Sequence, residues 1–278
     1  MIGYALSFLE YKDLLRTSTS ISVYFEESLM RRRWSLALYL AMALAPLAYA
    51  QSSRQRQGDV EKTASGELKI VPVTHASVML EWSSRVIHVD PWSQGDYSGL
   101  PKADLILITD IHPDHMDPKA IASLKKEATV IIAPEAVAKT ITEAKVLRNG
   151  ERTTVTLGKP LTIEAVPMYN LTRGPSPGQL YHTKGRGNGY VLDFGGKRVY
   201  FSGDTECVPE IKSLHNVDIA FLCMNLPYTQ TPQEAAECVK SFRPKTVYPY
   251  HYRGQDPQVF ANALKGEKGI EVRLRDWY

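Results

Sequence analysis

The 278 residues carry 33 Lys/Arg against 30 Asp/Glu, with 44% hydrophobic and 23% charged residues, values ordinary for one large globular domain or two small ones. Beyond residue 50 the balance is 28 Lys/Arg to 26 Asp/Glu, so the basic stripe of a nucleic-acid binder is missing. Cys207, Cys223 and Cys238 are an odd set with no Cys-x-x-Cys spacing, which argues against a disulfide framework and a zinc knuckle; each reads as a small buried apolar residue.

Near the N-terminus, Arg31-Arg32-Arg33 precede an uncharged stretch from Trp34 to Ala50 that closes with Ala48-Tyr49-Ala50. That basic, apolar, small-residue order predicts a secretory signal peptide with cleavage after Ala50, an uncleaved anchor being the alternative. The stretch is shorter than the ~20 residues a membrane-crossing helix needs, and Pro46 disfavours its continuation. Met30 stands directly before the arginines, whereas residues 1–29 carry Glu10, Asp13, Glu26 and Glu27, an odd preface for an export signal. Translation is therefore expected to start at Met30. The mature chain is expected in the periplasm or secreted, with no stable membrane association once cleaved. Residues 51–66 are polar and read as a flexible leader, and residues 67–278 as the folded domain.

From Leu68 onward, short β-like runs bounded by Gly, Pro, Asp or Asn predict strands. They are Leu68 to Val73, Ser77 to Trp82, Arg85 to Asp90, Leu105 to Thr109, Thr129 to Ile132, Thr153 to Thr156, Leu161 to Pro167, Gly189 to Phe194, Arg198 to Ser202, Ile219 to Cys223 and Thr246 to Tyr250. Helix start signals predict Pro118 to Lys126, Pro134 to Glu143, Thr231 to Ser241 and Pro257 to Leu264. Paired strands followed by single helices indicate an α/β or α+β domain with helices covering sheets.

Directly after the Leu105–Ile108 run comes Asp110-Ile111-His112-Pro113-Asp114-His115. Four candidate metal ligands in six residues, held in a tight loop at a strand end, suit a metal site because little side-chain entropy remains to be lost. The same context recurs in Asp204, after Val199-Tyr200-Phe201-Ser202-Gly203, where the glycine permits a sharp turn, and in His251, after Val247-Tyr248-Pro249-Tyr250. His182 heads His182-Thr183-Lys184-Gly185. Loops at strand ends converge on one rim, so distant residues can share a site. The bland readings are a solvated loop for His112 to His115 and a half-buried histidine for His251. His88 reads as a strand residue, His215 as solvated, Asp90 as a turn residue beneath the site and Asp117 as a helix cap.

TDIHPDHMDP, with THASVML, DPW, GNGYVL, SGDTE and YPYHYRG, resembles the metallo-β-lactamase superfamily, in the branch of ascorbate-6-phosphate lactonase and the N-acylphosphatidylethanolamine phospholipases; the match spans Glu67 to the C-terminus. The resemblance implies a four-layer αββα sandwich. It implies His112 and His182 on a first metal, Asp114, His115 and His251 on a second, and Asp204 between them. Asp110 stands where the motif has its first histidine, and its extra negative charge lowers Lewis acidity and favours harder ions. The cofactor implied is one or two Zn²⁺, with Mn²⁺ the alternative, and Asp114 would orient the attacking water. His75, Tyr228 and Arg253 flank these positions as substrate-binding candidates, Arg253 and Lys184 suiting an anionic small molecule. The activity implied is hydrolysis of an ester, lactone or phosphodiester. The alternatives are a non-catalytic metal- or ligand-binding member of the fold and, less favoured, a β-lactamase.

Overall fold

The computed structural model describes residues Gly58–Tyr278; the expected export signal, translation start and cleavage point lie outside the described residues. The strands are β1 (Asp59–Thr63), β2 (Gly66–Thr74), β3 (Ser77–Trp82), β4 (Arg85–Val89), β5 (Leu105–Leu107), β6 (Val130–Ala133), β7 (Lys145–Val146), β8 (Arg152–Leu157), β9 (Lys159–Met168), β10 (Gly187–Asp193), β11 (Arg198–Phe201), β12 (Ile219–Cys223), β13 (Thr246–Tyr250) and β14 (Glu271–Val272). The helices are α1 (Pro118–Leu124), α2 (Glu135–Ala138), α3 (Pro209–Lys212), α4 (Pro232–Phe242) and α5 (Pro257–Ala263).

The strands form two seven-stranded sheets, β1 to β7 and β8 to β14, each laid down in chain order. In both, the first four strands pair antiparallel and the last three join in parallel. The main core lies between the sheets, where Leu68, Val78, Leu80, Trp82, Leu105 and Leu107 meet Leu161, Ile163, Phe194, Phe201, Phe221 and Tyr248. On the outer faces, Ile106 and Ile131 pack against Ile121 of α1 and Val137 of α2. On the second sheet Val191, Ala220 and Val247 pack against Ala235, Val239 and Phe242 of α4 and Phe260 of α5. This is the expected αββα sandwich. Its inner parallel strands are covered on both faces, which is why Leu105–Leu107 and Ile219–Cys223 read as unbroken apolar runs.

The domain begins earlier than Glu67. The expected leader contains β1, which hairpins onto β2 with Asp59 opposite Ile70. β1 is an edge strand whose Asp-Val-Glu-Lys-Thr sequence shows no apolar run. Ion pairs hold it: Asp59 accepts a two-pronged bond from Arg275, and Glu61 accepts from Lys197 and Arg273. The helix expected over Pro134 to Glu143 stops at Ala138, where Lys139-Thr140-Ile141-Thr142 brings β-branched residues of weaker helix preference, and the chain continues as turns. Asp117 caps α1 as expected, accepting from the amides of Lys119 and Ala120.

Two of the three cysteines do pair. Cys207, before α3, is bonded to Cys238 of α4 with the Cα atoms 5.6 Å apart, and Cys223 stays a buried free thiol. An odd count forbids complete pairing, but not one bridge. The bridge closes a loop with a sequence separation of 31, for which the chain-entropy estimate is about 4 kcal/mol of stabilisation. Replacing Cys207 and Cys238 together by Ser is expected to lower the melting temperature by about 10 °C; an unchanged melt of the oxidised and substituted chains would show that the bridge contributes nothing.

Candidate metal centre

The β5–α1 loop supplies Asp110, His112, Asp114 and His115; the β9–β10 loop supplies His182; the turns after β11 and β13 supply Asp204 and His251; and the β2–β3 turn supplies His75. All eight come together at one edge of the sandwich. They fall into three groups, the last two sharing His251: Asp110, His112 and His182; His115, Asp204 and His251; and His75, Asp114 and His251. Gly203 has φ +59°, and a Cβ there would lie 2.5 Å from Met168 Sδ and 3.0 Å from Thr109 Cβ. Only glycine fits the turn that presents Asp204. Asp90, His75 and His251 also adopt left-handed backbone, at φ 43°, 53° and 48°, a strained conformation that the surrounding packing must enforce.

The ligand atoms are closely aimed. His115 Nε2 and His251 Nε2 are 3.1 Å apart. Asp204 Oδ1 is 3.2 Å from His251 Nε2, and its Oδ2 is 3.4 Å from His115 Nε2 and 3.2 Å from His182 Nε2. Asp114 Oδ2 is 3.4 Å from His251 Nε2, and Asp110 Oδ2 is 2.8 Å from His112 Nδ1. Asp204 thus reaches both the His182 side and the His115–His251 side.

Partners outside the cluster fix the His115, His182 and His75 rings. The Thr109 amide donates to Asp90 Oδ1 at 2.7 Å, and the Thr109 hydroxyl donates to Asp90 Oδ2 at 2.6 Å. His115 Nδ1 is 2.9 Å from the same Oδ2, so the ring turns its Nε2 inward. On the other side, Asn170 Oδ1 is 2.7 Å from His182 Nδ1, while the Asn170 amide donates to Glu206 and to the Tyr228 carbonyl. An orienting partner on the far nitrogen is what a ligating histidine requires. His75 Nε2 is 3.0 Å from Asp114 Oδ2, and its Nδ1 is 2.6 Å from the Tyr278 hydroxyl.

Charge is concentrated here. Burial would raise Asp204, but His251 and His115 outweigh it and hold the carboxyl well below its usual range. Burial likewise would lower His115, yet Asp204 and Asp90 push it well above. Burial would raise Asp110, but the His112 hydrogen bond and the charge of Arg186 bring it down to about 2. Burial pushes His75 down to about 4.

The residues fit a divalent cation. His182 Nε2 and Asp204 Oδ1 are buried with no hydrogen-bond partner among the described residues, and both belong to these groups. Buried polar atoms rarely stay unpartnered without a reason. Imidazole and carboxylate donors suit zinc, manganese and similar ions.

The other candidates stand apart. Arg253 lies 5.3 Å over the Trp92 ring and 5.6 Å over the Tyr278 ring, beside His75. Tyr228 is 45% exposed and packs edge-on against Tyr181. Lys184 does not turn toward the cluster; it pairs with Glu210 at 2.6 Å and sits over Tyr169. The sequence reading missed Asn170 and Arg186. Neither lies in a ligand-dense motif, and Arg186 was one surface-type cation among many.

The sequence matches a model described as the beta-lactamase superfamily domain over residues 69–251. A metal-dependent hydrolase of Pyrobaculum islandicum is 30% identical, covering 72% of this chain and 93% of that one. The crystal structure of a candidate metal-dependent hydrolase from Parabacteroides distasonis is 47% identical, with TM-score 0.74, over 80% of this chain and 99% of that chain. Igni18, a metallo hydrolase of Ignicoccus hospitalis, is similar in fold at 23% identity and TM-score 0.64, over 75% of this chain and 95% of that chain.

Proposed function

The chain belongs to the metallo-β-lactamase superfamily, and on that footing we propose that it is an exported metal-dependent hydrolase acting on an ester, lactone or phosphodiester of a small molecule. The observation that carries the metal reading is the convergence of His115 Nε2, His251 Nε2, His182 Nε2 and both Asp204 oxygens, two of these atoms being buried without a hydrogen bond among the described residues. Asp110, His112 and His182 would hold one cation, and Asp114, His115 and His251 a second, with Asp204 between them; Zn²⁺ and Mn²⁺ suit these donors. Such cations, when bound, bring the pKa of water toward ~7 and polarise the oxygen of the bond to be broken.

The chain's own residues supply position and proton handling. A carboxylate can only accept, so His75 Nε2–H donates to Asp114 and the Tyr278 hydroxyl donates to His75 Nδ1. Asp114 is thereby fixed with its side chain 27% exposed, able to hold a water and take its proton at Oδ2. Among the described residues, three of the four exposed large apolar ones, Leu171, Tyr228 and Tyr278, border residues that hold this site. That rim, with Arg253 over Trp92, favours a substrate with an apolar part and an anionic group. The Cys207–Cys238 bridge supports an oxidising compartment, periplasmic or extracellular.

The test is elemental analysis of the purified chain with hydrolysis of lactone, phosphodiester and β-lactam substrates before and after chelation. Two divalent cations per chain with chelator-sensitive, metal-restored hydrolysis are expected. Bound metal without hydrolysis of any substrate would leave the non-catalytic reading, and β-lactam turnover alone would make the chain a β-lactamase.

A further inference from the structure

We infer that Arg186 is a positioning residue that lets Asp110 stand where the family motif has a histidine, by cancelling its extra charge and locking the plane of its carboxylate. This rests on the metal reading above. Arg186 Nε donates to Asp110 Oδ1 at 3.0 Å and Nη2 to Oδ2 at 2.9 Å, while Nη1 donates to the Tyr181 carbonyl at 2.7 Å. Asp110 is wholly buried and the Arg186 side chain is 19% exposed. A two-pronged guanidinium bond in such a place sets orientation as well as charge.

The fork uses one lone-pair direction on each oxygen. An ionised carboxylate has about four, so Oδ2 can still face His112 Nδ1 at 2.8 Å and His182 Nε2 at 3.9 Å. An imidazole ligand is neutral and Asp110 is not. With the guanidinium included, the Asp110 position is neutral again, so the lowered Lewis acidity expected from the sequence is offset. The loop geometry couples the parts: the Arg186 amide donates to the Thr183 carbonyl, so one turn carries both His182 and the cation that serves Asp110. A lysine would restore the charge without the fork.

A merely structural ion pair predicts that every disruption lowers stability and that none restores metal. The positioning role predicts a reversal of sign. Metal-free chains are titrated with Zn²⁺ and with Mn²⁺ against a chromophoric chelator, and thermal melts check folding. Arg186→Gln is expected to weaken one of two binding events by about 10–100-fold, the effect typical of losing a ligand's orienting partner, and to leave the other unchanged. Asp110→His alone leaves a part-buried guanidinium beside an imidazole and is also expected to weaken that event. Combining the two substitutions is expected to restore it, so the same Arg186→Gln change harms one background and helps the other. Unchanged affinities in Arg186→Gln, or a double variant that binds no better than Asp110→His, would overturn the inference. Failure of the unsubstituted chain to bind two cations would instead overturn the metal reading.

Discussion

Asp204→Ala is expected to empty both cation positions and to reduce hydrolysis by about 10³-fold or more, the scale of losing the electrostatic stabilisation that dominates such reactions. Asp204 lies within 3.4 Å of His115, His182 and His251 together, so its loss cannot be confined to one side. Asp204→Asn separates shape from charge: it keeps an oxygen in place but cannot bridge as an anion, and is expected to retain little metal. The measurements are elemental analysis and turnover, with circular dichroism to show that the fold is kept. A folded Asp204→Ala chain with its full metal content would refute the bridging assignment.

Asp90→Ala is expected to damage stability and metal binding together. Asp90 is fully buried and accepts from the Thr109 amide, the Thr109 hydroxyl and His115 Nδ1. Removing it strands the Thr109 amide and leaves the Thr109 hydroxyl and His115 Nδ1 only each other, 3.0 Å apart, in place of a carboxylate, a loss of about 3 kcal/mol by analogy with breaking a buried charge pair. His115 then loses the partner that aims its Nε2, so metal affinity is expected to fall by about 10–100-fold even where the chain folds. Denaturant unfolding of the metal-free chain reads the first effect and metal titration the second. A loss of stability below about 1 kcal/mol would show that the site tolerates the vacated space.

The legible part of this protein was the part where chemistry crowds the sequence. Ligand types packed behind the Leu105–Ile108 run, and Asp204 and His251 at the ends of apolar strands, could be read because strand, turn and ligand are adjacent in the chain. His182 lay outside such a context, and the Asn170 carboxamide that aims it is twelve residues away. Arg186 was hidden for a related reason, since its partner Asp110 lies 76 positions earlier and nothing local distinguishes it from a solvated arginine. β1 carries no apolar alternation; its place is set by Arg273 and Arg275 from the far end of the chain. The Cys207–Cys238 bridge is likewise a product of the packing of α4 against its sheet, which spacing does not encode.

Each sheet is drawn from an unbroken stretch of chain, β1 to β7 and then β8 to β14. Backbone pairing from β2 to β7 and from β8 to β14 therefore stays within one half, and only β1, held by Lys197, Arg273 and Arg275, waits on the other, so the two ladders can largely grow independently during folding. Asp110, His112, Asp114 and His115 belong to the first stretch, whereas His182, Asp204 and His251 belong to the second. A complete set of ligands exists only once the halves have docked. A cation that binds that state alone would draw the folding equilibrium toward it by mass action, so the docked form is expected to gain stability with added cation while the separate halves gain none.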